Sequence, residues 1–158
     1  MLTAVLIISL LFTMIGLCLW LSRPRLRYKE NALKLRMALS RLIDNPYGSY
    51  LIVEDPEFGK HLQVSGSINE PIVFDLPCNT LTLDEYDRAC ELFNALGHNG
   101  PETFEISTPF SNVPADTQSS FLMTFSRSNL GTLEQLALTV FAHVYQTDQR
   151  ISLNIIEQ

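Results

Sequence analysis

Residues 49–64 read SYLIVEDPEFGKHLQV, and the reading of the fold starts from them. Tyr50-Leu51-Ile52-Val53 is a run of aromatic, branched and large apolar residues of the kind that fits a pleated, half-buried surface. Asp55 to Lys60 supplies a turn, with Pro56 near its start and Gly59 near its finish. His61 to Ser65 then alternates apolar and polar side chains, as a return strand with one buried face does. Two strands joined by so short a connection pair antiparallel.

The pattern extends on both sides. After a loop over Gly66 to Pro71, Ile72, Phe74 and Leu76 alternate with Val73 and Asp75, which predicts a third strand and an antiparallel meander. Before the hairpin, residues 29–44 carry Ala32, Leu35, Leu39 and Leu42 at helical spacing, with Leu33, Met37 and Ile43 widening the stripe. Asn45-Pro46-Tyr47-Gly48 ends that helix, because proline cannot continue the ladder.

A second helix is announced by Thr82-Leu83-Asp84-Glu85, a capping box with Thr82 as N-cap and Glu85 at N3. Leu81 and Tyr86 stand at the two positions of a hydrophobic staple, and Gly97 suits the C′ position. Asp84, Glu85, Asp87 and Glu91 give this helix an acidic outer side. A short strand over Glu102 to Thr108 and one over Ser120 to Arg127 follow, separated by a polar loop from Pro109 to Gln118. The last helix is predicted to start at Thr132 with Gln135 as its capping partner, and to bury Leu133, Leu136, Ala137, Val140, Phe141, Val144 and Tyr145. Gln149 to Glu157 reads as a closing strand. The expectation is an α+β domain over 29–158, in the order α-βββ-α-ββ-α with a closing strand and a mainly antiparallel sheet.

Residues 1–22 read differently. From Leu2 to Leu21 there is no charged side chain, and a bilayer core needs about 20 apolar residues in a helix. Only Met1 precedes the run, and Leu19-Trp20-Leu21-Ser22 offers no small-residue cleavage site, so the expectation is an uncleaved transmembrane anchor and not a signal peptide. A basic juxtamembrane linker over 23–28 follows. Arg23, Arg25, Arg27 and Lys29 form a basic collar on that side, which places the remainder of the chain in the cytoplasm as a single-pass protein of the cytoplasmic membrane.

From Leu42 onward the chain has four basic residues against sixteen acidic ones, a net charge of −12. Such a domain repels nucleic acid and anionic lipid, and suits basic or amphipathic protein partners. Cys78 and Cys90 lack CxxC spacing, and a cytoplasmic domain keeps both reduced. The reverse orientation would make a Cys78–Cys90 bridge available. His61, His98 and His143 fall in no metal-binding spacing, and no phosphate loop or nucleophile elbow is present, so the sequence names no catalytic residue, metal or cofactor.

The stretch Ser49 to Val64, Ile72 to Pro77, the helix ending at Leu96-Gly97 and the amphipathic run Leu133 to Tyr145 together resemble the type III secretion chaperone-like superfamily, in its YbjN and TY-Chap branch. That resemblance spans about residues 29–158. It implies a small acidic α+β domain that binds proteins without turnover, often as a dimer. The functional expectation is a membrane-anchored protein-binding module, with a protein partner or a second copy of the chain, tethered through residues 2–22 and not binding nucleic acid. A membrane-anchored immunity or inhibitor protein that neutralises a toxin is the alternative, and an enzyme with a dispersed site is a third reading.

Overall fold

The structure, a computed structural model, describes residues 27–106, 116–148 and 152–158. Within them six strands form one antiparallel sheet: β1 (Ser49–Asp55), β2 (Lys60–Ser67), β3 (Glu70–Pro77), β4 (Glu102–Ile106), β5 (Asp116–Phe125) and β6 (Asn154–Glu157). Their spatial order is β4-β5-β3-β2-β1-β6. The meander of the opening stretch is therefore the centre of the sheet. Leu51 faces Val64, Val64 faces Phe74, and Phe74 faces Met123 on β5. In the β1–β2 turn the Asp55 carboxylate accepts from the Glu57 amide at 2.9 Å, and Gly59, at φ +64°, donates its N–H to the Asp55 carbonyl at 2.8 Å.

Strand alternation gives the sheet two unlike faces. Leu51, Val53, Leu62, Val64, Ile72, Phe74, Leu76 and Phe121 point inward and are almost wholly buried. They join one core cluster with the buried residues of all three helices: α1 (residues 27–44), α2 (Leu83–Ala95) and α3 (Leu130–Thr139). At its heart Phe93 of α2 stacks on Phe121 at 4.7 Å between ring centres and tilts against Phe74 at 6.1 Å. No residue at an outward register position belongs to the cluster. Among the described residues the helices thus all pack on one face of the sheet and leave the other open, an arrangement that antiparallel sheets allow.

α1 is already helical at residue 27, two residues ahead of the predicted range. It buries Leu35, Ala38, Leu39 and Leu42, whereas Leu33 and Met37, expected to widen the stripe, are 59% and 54% exposed. Two residues of helix are about 200° of rotation, which carries both away from Leu35. α2 fulfils its start signal. The Thr82 hydroxyl accepts from the Glu85 amide, and the Glu85 carboxylate accepts from the Thr82 amide at 2.7 Å. It ends as a Schellman motif, with His98 N–H on the Phe93 carbonyl and Gly97, at φ +85°, on that of Asn94.

The chain's second half departs more from expectation. The N-cap of α3 is Asn129, not Thr132, and it makes no side-chain cap bond. A 3₁₀ turn over Arg127–Asn129 already sets the helical path, and Arg127 is fixed by donating to the Ile43 and Ser67 carbonyls. After Thr139 the helix widens into a π turn over Val140–Val144, closed by the Tyr145 amide on the Val140 carbonyl at 3.0 Å. All seven apolar residues expected to be buried on this helix are buried. β5 begins at Asp116, inside the predicted loop, because pairing with β4 orders the polar run Thr117-Gln118-Ser119 that shows no apolar alternation. The closing strand shortens to Asn154–Glu157, since Leu153 is drawn to α1, where its amide donates to Asn31 at 3.1 Å. The rest of the predicted loop, residues 109–115, and residues 107–108 of the fourth predicted strand lie outside the described residues, as do residues 149–151.

Among the described residues no helix is long and apolar enough to cross a membrane. The predicted anchor over 1–22 lies outside them, with Arg23 and Arg25 of the collar.

Candidate functional site

The basic residues of the chain's first part divide in two. Arg27 and Lys29 are exposed on α1, where Arg27 meets Glu30 at 2.9 Å. Lys34 pairs with the same carboxylate at 3.0 Å. Arg36 and Arg41 belong to the fold. Arg36 makes a bidentate pair with Glu134 of α3, at 2.7 and 3.0 Å, and Arg41 grips Glu157 of β6. These two arginines tie α1 to the chain's last elements, a role that proximity in sequence to the collar does not reveal.

Glu85 also leaves the role assigned to it. Asp84, Asp87 and Glu91 are exposed as expected, but Glu85 turns inward and is 7% exposed. Lys60 reaches it at 2.8 Å while also donating to the Thr80 carbonyl. Burial pushes the Glu85 carboxyl up, but Lys60 and both groups of Thr82 outweigh that and hold it below its ordinary value. Lys60 in turn lies 5.8 Å from the ring centre of Tyr145, whose hydroxyl donates to the His61 carbonyl at 2.6 Å.

The open face of the sheet is built by the opposite register. One row across it reads Ile156, Ile52, Gln63, Asp75 and Leu122, each opposite the next on neighbouring strands. Beside it run Tyr50, Ser65, Val73 and Thr124. On the other side lie Glu54 opposite His61, then Ser120 opposite both Pro77 and Glu102. The face therefore mixes apolar with polar side chains, Glu54, Asp75 and Glu102 among them, and no lysine or arginine stands at an outward position on the described strands. Tyr50 and Ile156 are each 39% exposed.

At the centre of this face two enclosed atoms lack hydrogen-bond partners: Asp75 Oδ1 and Ser120 Oγ. Ser120 is 0% exposed. Burial raises the Asp75 carboxyl above its ordinary value, and the nearby Ser120 hydroxyl and His61 offset part of that. Folding thus gathers a serine, a histidine and an aspartate that are remote in sequence. They are not arranged as a nucleophile and its base: no hydrogen bond joins Ser120 Oγ to His61, whose Nδ1 sits 3.4 Å from the Gly59 carbonyl. The signal for this cluster was a lone acidic residue in the apolar strand Ile72-Val73-Phe74-Asp75-Leu76; nothing local points to Ser120.

Two concavities lie elsewhere. A groove of about 500 Å³ between α2, α3 and β5 is lined by Leu92, Leu96, Met123, Phe125 and Leu136. A polar hollow of about 600 Å³ adjoins Cys78, Tyr86 and Thr103. Cys78 and Cys90 are free thiols, half-buried. Burial, then the neighbouring Cys90 and Asp75, push the Cys78 thiol up to about 11, so it stays protonated and weakly reactive at neutral pH. His98 is half-buried edge-on to Phe93, and His143 is exposed. Among the described residues no three His, Cys, Asp or Glu side chains group as a metal site. No family model, curated protein or solved structure matches the chain.

Proposed function

We propose that the chain is a membrane-tethered protein-binding module, with residues 2–22 as its anchor, the domain on the cytoplasmic side, and the open sheet face as its working surface. The observation that carries this reading is the make-up of that face. Tyr50, Ile52, Val73, Leu122 and Ile156 present apolar area around a central Asp75, with Glu54 and Glu102 beside them and no lysine or arginine at an outward position. Exposed apolar area set among polar groups suits a protein-binding patch. The 20-residue uncharged run from Leu2 to Leu21 supports the tether. The resemblance to secretion-chaperone-like domains, read from the sequence, also supports a protein-binding role.

The test is site-specific photocrosslinking of the full chain in native membranes. A photoreactive residue replaces Ile52 or Leu122 on the open face, Leu96 in the groove, or Glu91 on the exposed side of α2. The expected result is a discrete protein adduct, or a crosslinked dimer, from the open-face positions. No adduct from any of the four positions overturns the reading. A reporter fused after Gln158 checks the side: activity only outside the cytoplasm reverses the orientation.

A further inference from the structure

We infer that Asp75 and Ser120 form the seat for a cationic side chain of a basic, amphipathic protein segment that lies across the open sheet face. This rests on the protein-binding reading above and names the chemistry of the partner.

The argument starts from what surrounds Asp75. Its cross-strand partners are Gln63 and Leu122, and its neighbours on the same face of β3 are Val73 and Pro77. None is a cation. Asp75 Oδ1 and Ser120 Oγ are both enclosed without a full set of hydrogen bonds, and leaving a buried polar group unsatisfied weakens a fold. A carboxylate offers about four acceptor sites and a hydroxyl two, whereas an ammonium brings three donors and a guanidinium five. Asp75 is only half-buried: Oδ1 is enclosed beside β5, and Oδ2 is the oxygen left within reach of a group arriving from the open side. A carboxylate that has already lost part of its water attracts a cation more strongly than a solvated one.

Charge selects among the occupants. A second copy docked face to face would set Glu54, Asp75 and Glu102 against the same carboxylates, with no lysine or arginine on either side to pair them. Anionic headgroups meet the same repulsion. A basic protein segment is the complement, and the net charge of −12 from Leu42 onward steers it inward. Ile52, Val73 and Leu122 around the seat then take the apolar residues that flank the cation.

The experiment uses the full chain in nanodiscs of phosphatidylcholine, which is zwitterionic and does not recruit the probe. The probe is a short capped peptide of alternating valine and lysine, its affinity read by fluorescence anisotropy. Asp75→Asn is expected to weaken binding about tenfold, Ser120→Ala and Leu122→Ser several-fold, and Asp87→Asn on the exposed side of α2 less than about twofold. Equal losses for Asp75→Asn and Asp87→Asn would mean diffuse attraction to an acidic domain and overturn the inference, as would no binding by the unmodified chain. The crosslinking experiment keeps the two levels apart. A crosslinked dimer from the open-face positions, or adducts from Leu96 or Glu91 alone, sink this inference and leave a protein-binding module standing; no adduct from any position sinks both.

Discussion

Glu85 and Asp75 are both carboxylates drawn out of water, and they lie on opposite faces of one sheet. On the helix-covered face the buried acids have partners. Glu85 meets Lys60, Glu134 meets Arg36, and Asp55 accepts from the Glu57 amide and the Thr147 hydroxyl. On the open face Asp75 has burial that the Ser120 hydroxyl and His61 offset only in part, with no lysine or arginine beside it. The inner acids are explained by folding, because each desolvated charge gains hydrogen bonds within the domain. Asp75 is not explained that way, and a desolvated charge without a partner weakens a fold. This contrast turns an otherwise ordinary half-open sheet into a surface with a stated partner chemistry.

The contrast requires first that the covered face hold the fold. Phe93→Ala removes the ring packed between Phe121 and Phe74 and leaves a cavity, and is expected to cost about 4 kcal/mol, read as a lowered urea midpoint. Glu85→Ala strips Lys60 of its charged partner and α2 of half its capping box, at about 2 kcal/mol. That loss depends on pH with a definite sign. The Glu85 carboxyl is held below its ordinary 4.5, so its stabilisation is fully present above that value and disappears as pH falls through the lower folded-state value. Melting curves of the two proteins should converge in acid; a gap that persists there would mean Glu85 acts by packing. Thr82→Ala removes only the N-cap hydroxyl and is expected to cost about 1 kcal/mol by the same measurement.

The covered half of this comparison was largely legible in the sequence. The meander, the capping box at Thr82 and the seven apolar residues of the last helix depend on patterns of two to four residues, and such patterns act locally. The errors fall where distant contacts decide. Thr132 has the right chemistry for an N-cap, yet the turn pinned by Arg127 on Ile43 and Ser67 starts the helix sooner. The π turn at Val140–Val144 comes with an Arg88 bond to the Val144 carbonyl at 2.9 Å and the anchoring of Tyr145 on β2, neither of which leaves a periodic trace. Glu85 looked solvated because Lys60, its partner, is on another element. The open face was the least legible of all. Its composition follows from alternation, but the meeting of Asp75 with Ser120 depends on β5 inserting beside β3, a crossover that the strand order alone reveals.

Asp75→Asn is the smallest expected change in stability and the one that reverses sign. Burial raises the Asp75 carboxyl above its ordinary 3.8, so the folded state holds its proton more tightly than the unfolded chain does. By linkage, Asp75 then lowers stability as pH rises through its folded-state value, and contributes no charge cost below 3.8, where both states are protonated. The amide cannot ionise, so at neutral pH the variant should melt slightly higher than the unmodified chain, and the difference should shrink to nothing in acid. The opposite slope is what Glu85→Ala shows, and the pair of curves measures the two faces against each other. If Asp75→Asn instead melts lower at neutral pH, Asp75 is held by the fold as Glu85 is, the faces treat charge alike, and the case for a cation seat loses its foundation. If it melts higher while the valine–lysine peptide binds less tightly, the same substitution separates stability from binding. A carboxylate that weakens the domain and strengthens the complex is one whose partner lies outside the chain's own core.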